Sequence, residues 1–281
     1  MNKIGFNVLA WSAGMDESLF PIAERLKKIG YDGVELFIGD APSANFKAFG
    51  DFARNIGLET TAVMVLSKEE NLISEEKSIR EKGLEKIKWT IDRCNDLNAT
   101  VLCGPFHSAF ATFDNHEPFE IEYERSAEML YLAGDYAQQA GVLLTPEAIN
   151  RFECYLCNTM AQLTHLLQKV NHPNVRAMYD THHANMEEKG ICESIELIAP
   201  YLSHFHISEN DRGTPGSGHV HWNETFKTLA KINYTGWLTI EAFSRNDPGF
   251  ANAIGVWREY NDPWHIAENG YPFIKKMLLE Q

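Results

Sequence analysis

Residues 3–10 read "KIGFNVLA" and residues 17–30 read "ESLFPIAERLKKIG". The first stretch is a short apolar run of strand length. The second sets Leu19, Ile22, Ala23 and Leu26 at i, i+3, i+4 and i+7, one face of a helix, and ends on a glycine where a helix C-cap favours one. The same strand–helix unit recurs down the chain. "GVELF" (33–37) precedes a helix around 44–56, "ETTAVMVL" (59–66) a long charged helical segment over 68–97, and "ATVLCG" (99–104) a helix near 120–140. "GVLLTPEA" (141–148) leads to a helix near 158–170, and "VRAMYD" (175–180) to one near 191–200. "LSHFHIS" (202–208) leads to 222–232, and "WLTIEAF" (237–243) to a last helix near 265–279. Eight such units, about 33 residues apart, imply a parallel sheet with right-handed crossovers. No GxGxxG or Walker loop supports an open doubly wound sheet. The expected fold is therefore α/β: a single (β/α)8 TIM barrel over residues 1–281, with its active site at the C-terminal ends of the strands.

Composition narrows the function. The net charge is −14 with no run of lysines or arginines, which repels phosphate backbones and anionic lipid. Nucleic acid and membrane surfaces are thus poor partners, and a neutral or metal-chelated small molecule fits better. The five cysteines (Cys94, Cys103, Cys154, Cys157, Cys192) are scattered, and the lone CxxC, "CYLC" (154–157), is read as ordinary reduced thiols. The N-terminal "MNKIGFNVLAW" lacks a signal-peptide cleavage site and reads as a first strand. A soluble cytoplasmic protein is expected.

Four polar residues sit at or near the ends of four successive apolar runs: Glu147 in "LLTPEA", Asp180 in "RAMYD", His206 in "SHFHIS" and Glu241 in "LTIEAF". Their separations of 33, 26 and 35 residues are one barrel unit each. Neighbouring strands lie about 4.8 Å apart, so these side chains can converge. Three carboxylates and an imidazole in one small volume repel one another and are costly to desolvate unless a cation sits among them. Oxygen-rich ligation with one nitrogen suits Mn²⁺, Mg²⁺ or Co²⁺.

The stretches "EAINRFE" (147–153), "DTHHANMEE" (180–188), "HISENDRGTPGSGHVHW" (206–222) and "IEAFS" (240–244) resemble the ketose 3-epimerases of the D-tagatose and D-allulose (D-psicose) group, within the xylose-isomerase-like TIM-barrel superfamily. "NLISEEKSIREKGLEKIK" (71–88) and "AIGVWRE" (253–259) extend the likeness over nearly the whole chain. The resemblance implies that Glu147, Asp180, His206 and Glu241 hold one divalent ion, Mn²⁺ first and Co²⁺ or Mg²⁺ as alternatives. It also implies that Glu153, His183 and Arg212 hold the substrate's oxygens near C1 to C3. His182 stands where the family usually carries an aromatic residue, so it is expected to pack. Strand alternation would put Asp180 and His182 on the same side, so this assignment requires the chain to leave strand geometry right after Asp180.

Epimerising a ketose at C3 removes a proton beside the C2 carbonyl and returns one to the opposite face. The resemblance gives that acid–base work to Glu147 and Glu241, through a cis-enediolate. A homodimer or homotetramer is implied as well, with "VWREYNDPW" (256–264) either part of its surface or a cover on the barrel. Trp11, Phe37, His107 and Phe110 are expected in the pocket or the core, His204 in the core, and "HVH" (219–221) in a loop. Rival readings are a 3-keto-glycoside epimerase or lyase using the same metal site, an aldose–ketose isomerase, an endonuclease IV-like enzyme and a non-catalytic sugar-binding barrel. The charge and a ligand set sufficient for one metal count against the nuclease.

Overall fold

The computed structural model describes residues 2–114 and 116–281. Among them, eight parallel strands alternate with helices. The strands are β1 (Lys3–Asn7), β2 (Gly33–Phe37), β3 (Glu59–Val63), β4 (Val101–Gly104), β5 (Leu143–Pro146), β6 (Ala177–Asp180), β7 (Leu202–Ile207) and β8 (Trp237–Ile240). The helices are α1 (Leu19–Ile29), α2 (Ser43–Asn55), α3 (Lys77–Leu97), α4 (Glu120–Ala140), α5 (Met160–Val170), α6 (Thr181–Glu187), α7 (Ile191–Ile198), α8 (Trp222–Lys231), α9 (Pro248–Ala253) and α10 (Pro263–Leu279).

Hydrogen bonding runs in the order β5-β4-β3-β2-β1-β8-β7-β6. Isolated bridges Leu144↔Val175 and Glu147↔Met178 then join β5 to β6, so the ring is nearly closed. This is the α/β barrel that the eight repeats predict. The strands read as unbroken apolar runs because helices cover their outer faces, where Phe6, Leu36, Leu102, Leu144, Phe205 and Leu238 are fully buried. The helices bury the faces that their periodicity marks: α1 seats Leu19, Ala23 and Leu26. In α2 the small residue at Gly50 allows α3 to approach, since a Cβ there would lie 2.5 Å from the Asp96 carbonyl oxygen.

The differences from the sequence reading have local causes. β1 ends at Asn7 because the Asn7 side chain accepts from Leu9 N–H and turns the chain into a short 3₁₀ turn, Val8–Ala10. The helix expected over 68–97 is a 3₁₀ turn at Lys68–Glu70 followed by α3 from Lys77. Between them Asn71 Oδ1 accepts from Ala109 N–H, tying the segment to the loop after β4, while Leu72 and Ile73 are buried. Two short helices, α6 and α9, are additional to those expected; each is capped by an aspartate, Asp180 and Asp247.

The barrel interior is polar rather than aliphatic. Glu35 of β2 is fully buried and gathers partners from four other strands. It accepts from Asn7 Nδ2 (3.0 Å), Thr61 Oγ1 (2.9 Å) and the Cys103 thiol (3.2 Å), and its Oε1 lies 2.7 Å from His206 Nε2. His204 Nε2 is 2.8 Å from Glu35 Oε2 but is angled away from hydrogen-bond geometry. His204 is thus a core residue one layer below His206. All five cysteines are free thiols. Among the described residues, no helix is long and apolar enough to cross a membrane.

Candidate metal centre and substrate pocket

The four strand-end residues meet above this polar plug. Asp180 closes β6, His206 is the next-to-last residue of β7, and Glu147 and Glu241 directly follow β5 and β8. Ligand atoms of Glu147, Asp180 and His206 all lie within 4.8 Å of one another. Glu241 reaches the same imidazole nitrogen, its Oε2 3.4 Å from His206 Nδ1; Asp180 Oδ2 is 3.5 Å from that nitrogen.

Asp180 also settles how "DTHHANME" is used. Its Oδ1 accepts from the backbone N–H of His182 (2.6 Å) and His183 (3.3 Å), so it is the N-cap of α6 and the chain leaves strand geometry immediately after it. The helical turn sends the two histidines apart. His183 lines the pocket, while His182 Nδ1 sits against the Glu209 and Asn210 carbonyls. Burial, then the Arg212 charge, push His182 down to about 3, so it is a neutral packing group.

Charges in the cluster are unevenly matched. Asp180 Oδ2 accepts from Ser208 Oγ (2.9 Å) and Arg212 Nη1 (2.9 Å), and the same Nη1 donates to Glu241 Oε2 (2.7 Å). Burial alone would raise Asp180, but Arg212 and His206 outweigh it and hold the carboxyl well below the usual range. At Glu147 the same His206 and Arg212 charges do not outweigh burial. Burial, reinforced by the charges of Asp180 and Glu241, lifts it well above the ordinary value, and its Oε1 is buried without a hydrogen-bond partner. His206 Nδ1 is likewise buried and unpartnered. Burial disfavours its proton, yet Glu35 on one side and Glu241 and Asp180 on the other hold His206 well above 6.5.

These two orphaned atoms face one cluster of carboxylate oxygens, and a divalent cation there would serve both. It would stand in for the imidazole proton at Nδ1 and offset the charge that burial makes costly on Glu147. Glu35 holds Nε2–H, so the Nδ1 lone pair is the one offered, the carboxylate–histidine arrangement that orients metal ligands. The donor set, three carboxylates and one imidazole, fits a hard divalent ion.

Beside the cluster a cavity of about 260 Å³ opens, with Glu147, Glu153, His183, Arg212 and Glu241 on its polar floor. His183 Nδ1 accepts from Asn150 N–H (3.1 Å), which places the ring proton on Nε2. That nitrogen is 3.0 Å from Arg212 Nη2, 3.7 Å from Glu147 and 4.0 Å from Glu153. The Arg212 guanidinium and the His183 ring nitrogen thus lie side by side at the pocket floor, with the Glu147 and Glu153 carboxylates next to them. Arg212 is held there by backbone at φ 63°, a left-handed conformation costly for a side chain of its size. Glu209 fixes that loop: buried, it accepts from Gly216 N–H, Val220 N–H and Trp222 Nε1.

All seven residues singled out in the sequence thus come together. Phe37 and Phe110 line the cavity, whereas Trp11 packs on Phe6 and Trp264 and His107 is fully buried outside it. His219 and His221 lie exposed in the loop before α8. Trp264 packs on Trp11, and Trp257 is 74% exposed. Sequence reasoning missed Glu35, Asn7, Asn150, Ser208 and Glu209. The legible signal was Glu35, a carboxylate in the middle of the strand "GVELF".

The chain matches the family described as xylose isomerase-like TIM barrel over residues 23–260. It is 30% identical to a D-psicose 3-epimerase from Agrobacterium fabrum over 95% of this chain and 93% of that one. It is also 30% identical to an L-ribulose 3-epimerase from a Methylomonas species, over 98% and 97% of the two chains. Among solved structures, a Methylomonas D-allulose 3-epimerase in complex with D-allulose superposes with a TM-score of 0.92 at 28% identity, covering 98% of this chain and 97% of that one.

Proposed function

Since the chain belongs to the xylose isomerase-like TIM barrel family, we propose that it is a divalent-metal-dependent ketose 3-epimerase. Its substrates are free ketoses of the D-tagatose, D-fructose and D-allulose type or the L-ribulose type, and Mn²⁺ is its metal, with Co²⁺ or Mg²⁺ as substitutes. The observation that carries this reading is the pair of orphaned buried atoms, Glu147 Oε1 and His206 Nδ1, facing one cluster of carboxylates. Full-length likeness to named ketose 3-epimerases supplies the reaction class.

Glu147, Asp180, His206 and Glu241 hold the ion. Once bound, it supplies Lewis-acid polarisation of the substrate carbonyl and charge to offset the enediolate. The chain's own groups do the rest. Arg212 Nη2 and His183 Nε2, 3.0 Å apart, donate together to one substrate oxygen near C1–C2 and fix the sugar's register. Glu153, raised by its burial, accepts a neighbouring hydroxyl. Glu147 and Glu241 project from β5 and β8, flanking the cluster from different sides. One removes the C3 proton and the other returns a proton to the opposite face, exchanging roles with the direction of reaction. Asn7 donates to Glu241 Oε1 (3.2 Å) and keeps that carboxylate aimed.

The test is a ketose panel with Mn²⁺ in D₂O. Deuterium entering C3 together with the epimer is expected. Exchange with 3-keto-glycosides and with no free ketose would overturn the assignment.

Glu35→Gln gives a separate expectation. A glutamine keeps the shape but loses the charge that aims Nε2–H of His206, so Mn²⁺ affinity should fall about 10- to 100-fold. Calorimetric titration with Mn²⁺ reads this directly, and an unchanged dissociation constant would remove Glu35 from the metal's support.

A further inference from the structure

Arg212 reaches Asp180, Glu241 and His183 from a backbone held at φ 63°, a left-handed conformation that a long side chain disfavours. Two backbone bonds define the turn: Arg212 N–H donates to the Glu209 carbonyl (3.0 Å), and the Arg212 carbonyl accepts from Phe243 N–H (3.0 Å). The side chains of Glu209, Asn210 and Asp211 serve the rest of their own loop, accepting from the N–H groups of Gly216, His219 and Gly213. The tie from this turn to α6 is the ring of His182.

Its Nδ1 lies 3.0 Å from the Asn210 carbonyl oxygen and 3.3 Å from that of Glu209. A ring nitrogen facing two acceptors must carry the proton, so the neutral ring is the Nδ1–H tautomer. Among the described residues, no other protein group donates to the Asn210 carbonyl. One residue earlier, Thr181 Oγ1 donates to the Ser208 carbonyl (2.7 Å), so successive residues of α6 engage successive residues of the loop after β7. Resting on the epimerase reading above, we propose that His182 is a positioning residue: its Nδ1–H ties the Glu209–Arg212 turn to α6 and so keeps the Arg212 guanidinium aimed at the sugar's oxygens. The two adjacent histidines then divide the work. His183 accepts from Asn150 in the loop after β5, while His182 donates to the loop after β7.

A double-mutant cycle tests this, read by C3 deuterium exchange with saturating Mn²⁺ on whichever of D-fructose, D-tagatose and L-ribulose the unaltered protein exchanges fastest. His182→Phe keeps a ring and removes the donor, and kcat/KM should fall about 10-fold, the effect of leaving a carbonyl without its hydrogen bond. His182→Asn can place Nδ2–H where Nδ1–H was and should recover most of that loss. Over Arg212→Lys, His182→Phe should cost less than about 2-fold more, because no aimed guanidinium remains to be lost. Mn²⁺ affinity should stay unchanged in the His182 variants, since Asp180 caps the backbone N–H of His182 and not its ring. His182→Ala replaces His182→Phe if the latter does not fold. An unaltered rate without the donor, an Asn variant as slow as the Phe one, the full loss repeated over Arg212→Lys, or a matching fall in Mn²⁺ affinity overturns the proposal and leaves the epimerase reading intact. Exchange of none of the three sugars by the unaltered protein overturns both.

Discussion

Glu241→Gln, saturated with Mn²⁺, is expected to exchange the C3 proton of its ketose about 10²–10⁴-fold more slowly than the parent protein, the usual worth of a positioned acid–base group. Glutamine keeps the length and one oxygen of the side chain but cannot take up a proton at neutral pH. The groups around Glu241 bear on the control needed. Asn7 Nδ2 and Arg212 Nη1 both donate to it, one on each oxygen, so a glutamine NH₂ must face one donor or the other. Metal content and melting temperature are therefore measured beside the rate. Glu147→Gln should be equally slow: Glu147 Oε1 has no hydrogen-bond partner to lose, so the change removes its proton chemistry and one anionic metal ligand, and metal content is again the control. Near-normal turnover by either variant with metal bound would contradict the two-carboxylate scheme.

Stripping the metal is expected to have the second large effect. Dialysis against a chelator should abolish exchange, and Mn²⁺ should restore it. The cation also binds the folded chain alone, so ion at about 100 times its dissociation constant adds about 2.7 kcal/mol of stability, a melting shift of several degrees. The pH dependence follows from two groups. Glu147 and His206 are both held above their ordinary values, so both tend to carry protons that metal binding must release. Affinity therefore rises with pH through their titration, and the melting shift should be larger in mildly alkaline than in mildly acidic buffer. A scan showing no shift with Mn²⁺ at either pH would contradict a resident metal.

The parts of this molecule legible in the sequence are those governed by period and position. Strands buried on both faces read as short apolar runs, helices show their buried stripes, and β2 falls at Gly33–Phe37, the quoted run itself. The four strand-end residues were visible because a barrel sends consecutive strand ends to one rim. What pattern could not reveal was pairing across the barrel. Glu35 and His206 are 171 positions apart and joined by a 2.7 Å contact that no local spacing encodes. Asn150 looks like a loop residue until its N–H is seen to fix the tautomer of His183. The turn at Asp180 lies between these cases: the carboxylate was legible, but the same side chain is a helix cap, and that second use separates His182 from His183.

The central claim is a single divalent ion held jointly by residues from β5, β6, β7 and β8. Anomalous diffraction from crystals grown with Mn²⁺, recorded near the manganese edge, tests it most directly. The account predicts one strong peak at coordination distance, about 2.0–2.3 Å, from carboxylate oxygens of Glu147, Asp180 and Glu241 and from Nδ1 of His206. No peak among those four residues, or one bound without the imidazole, would contradict it.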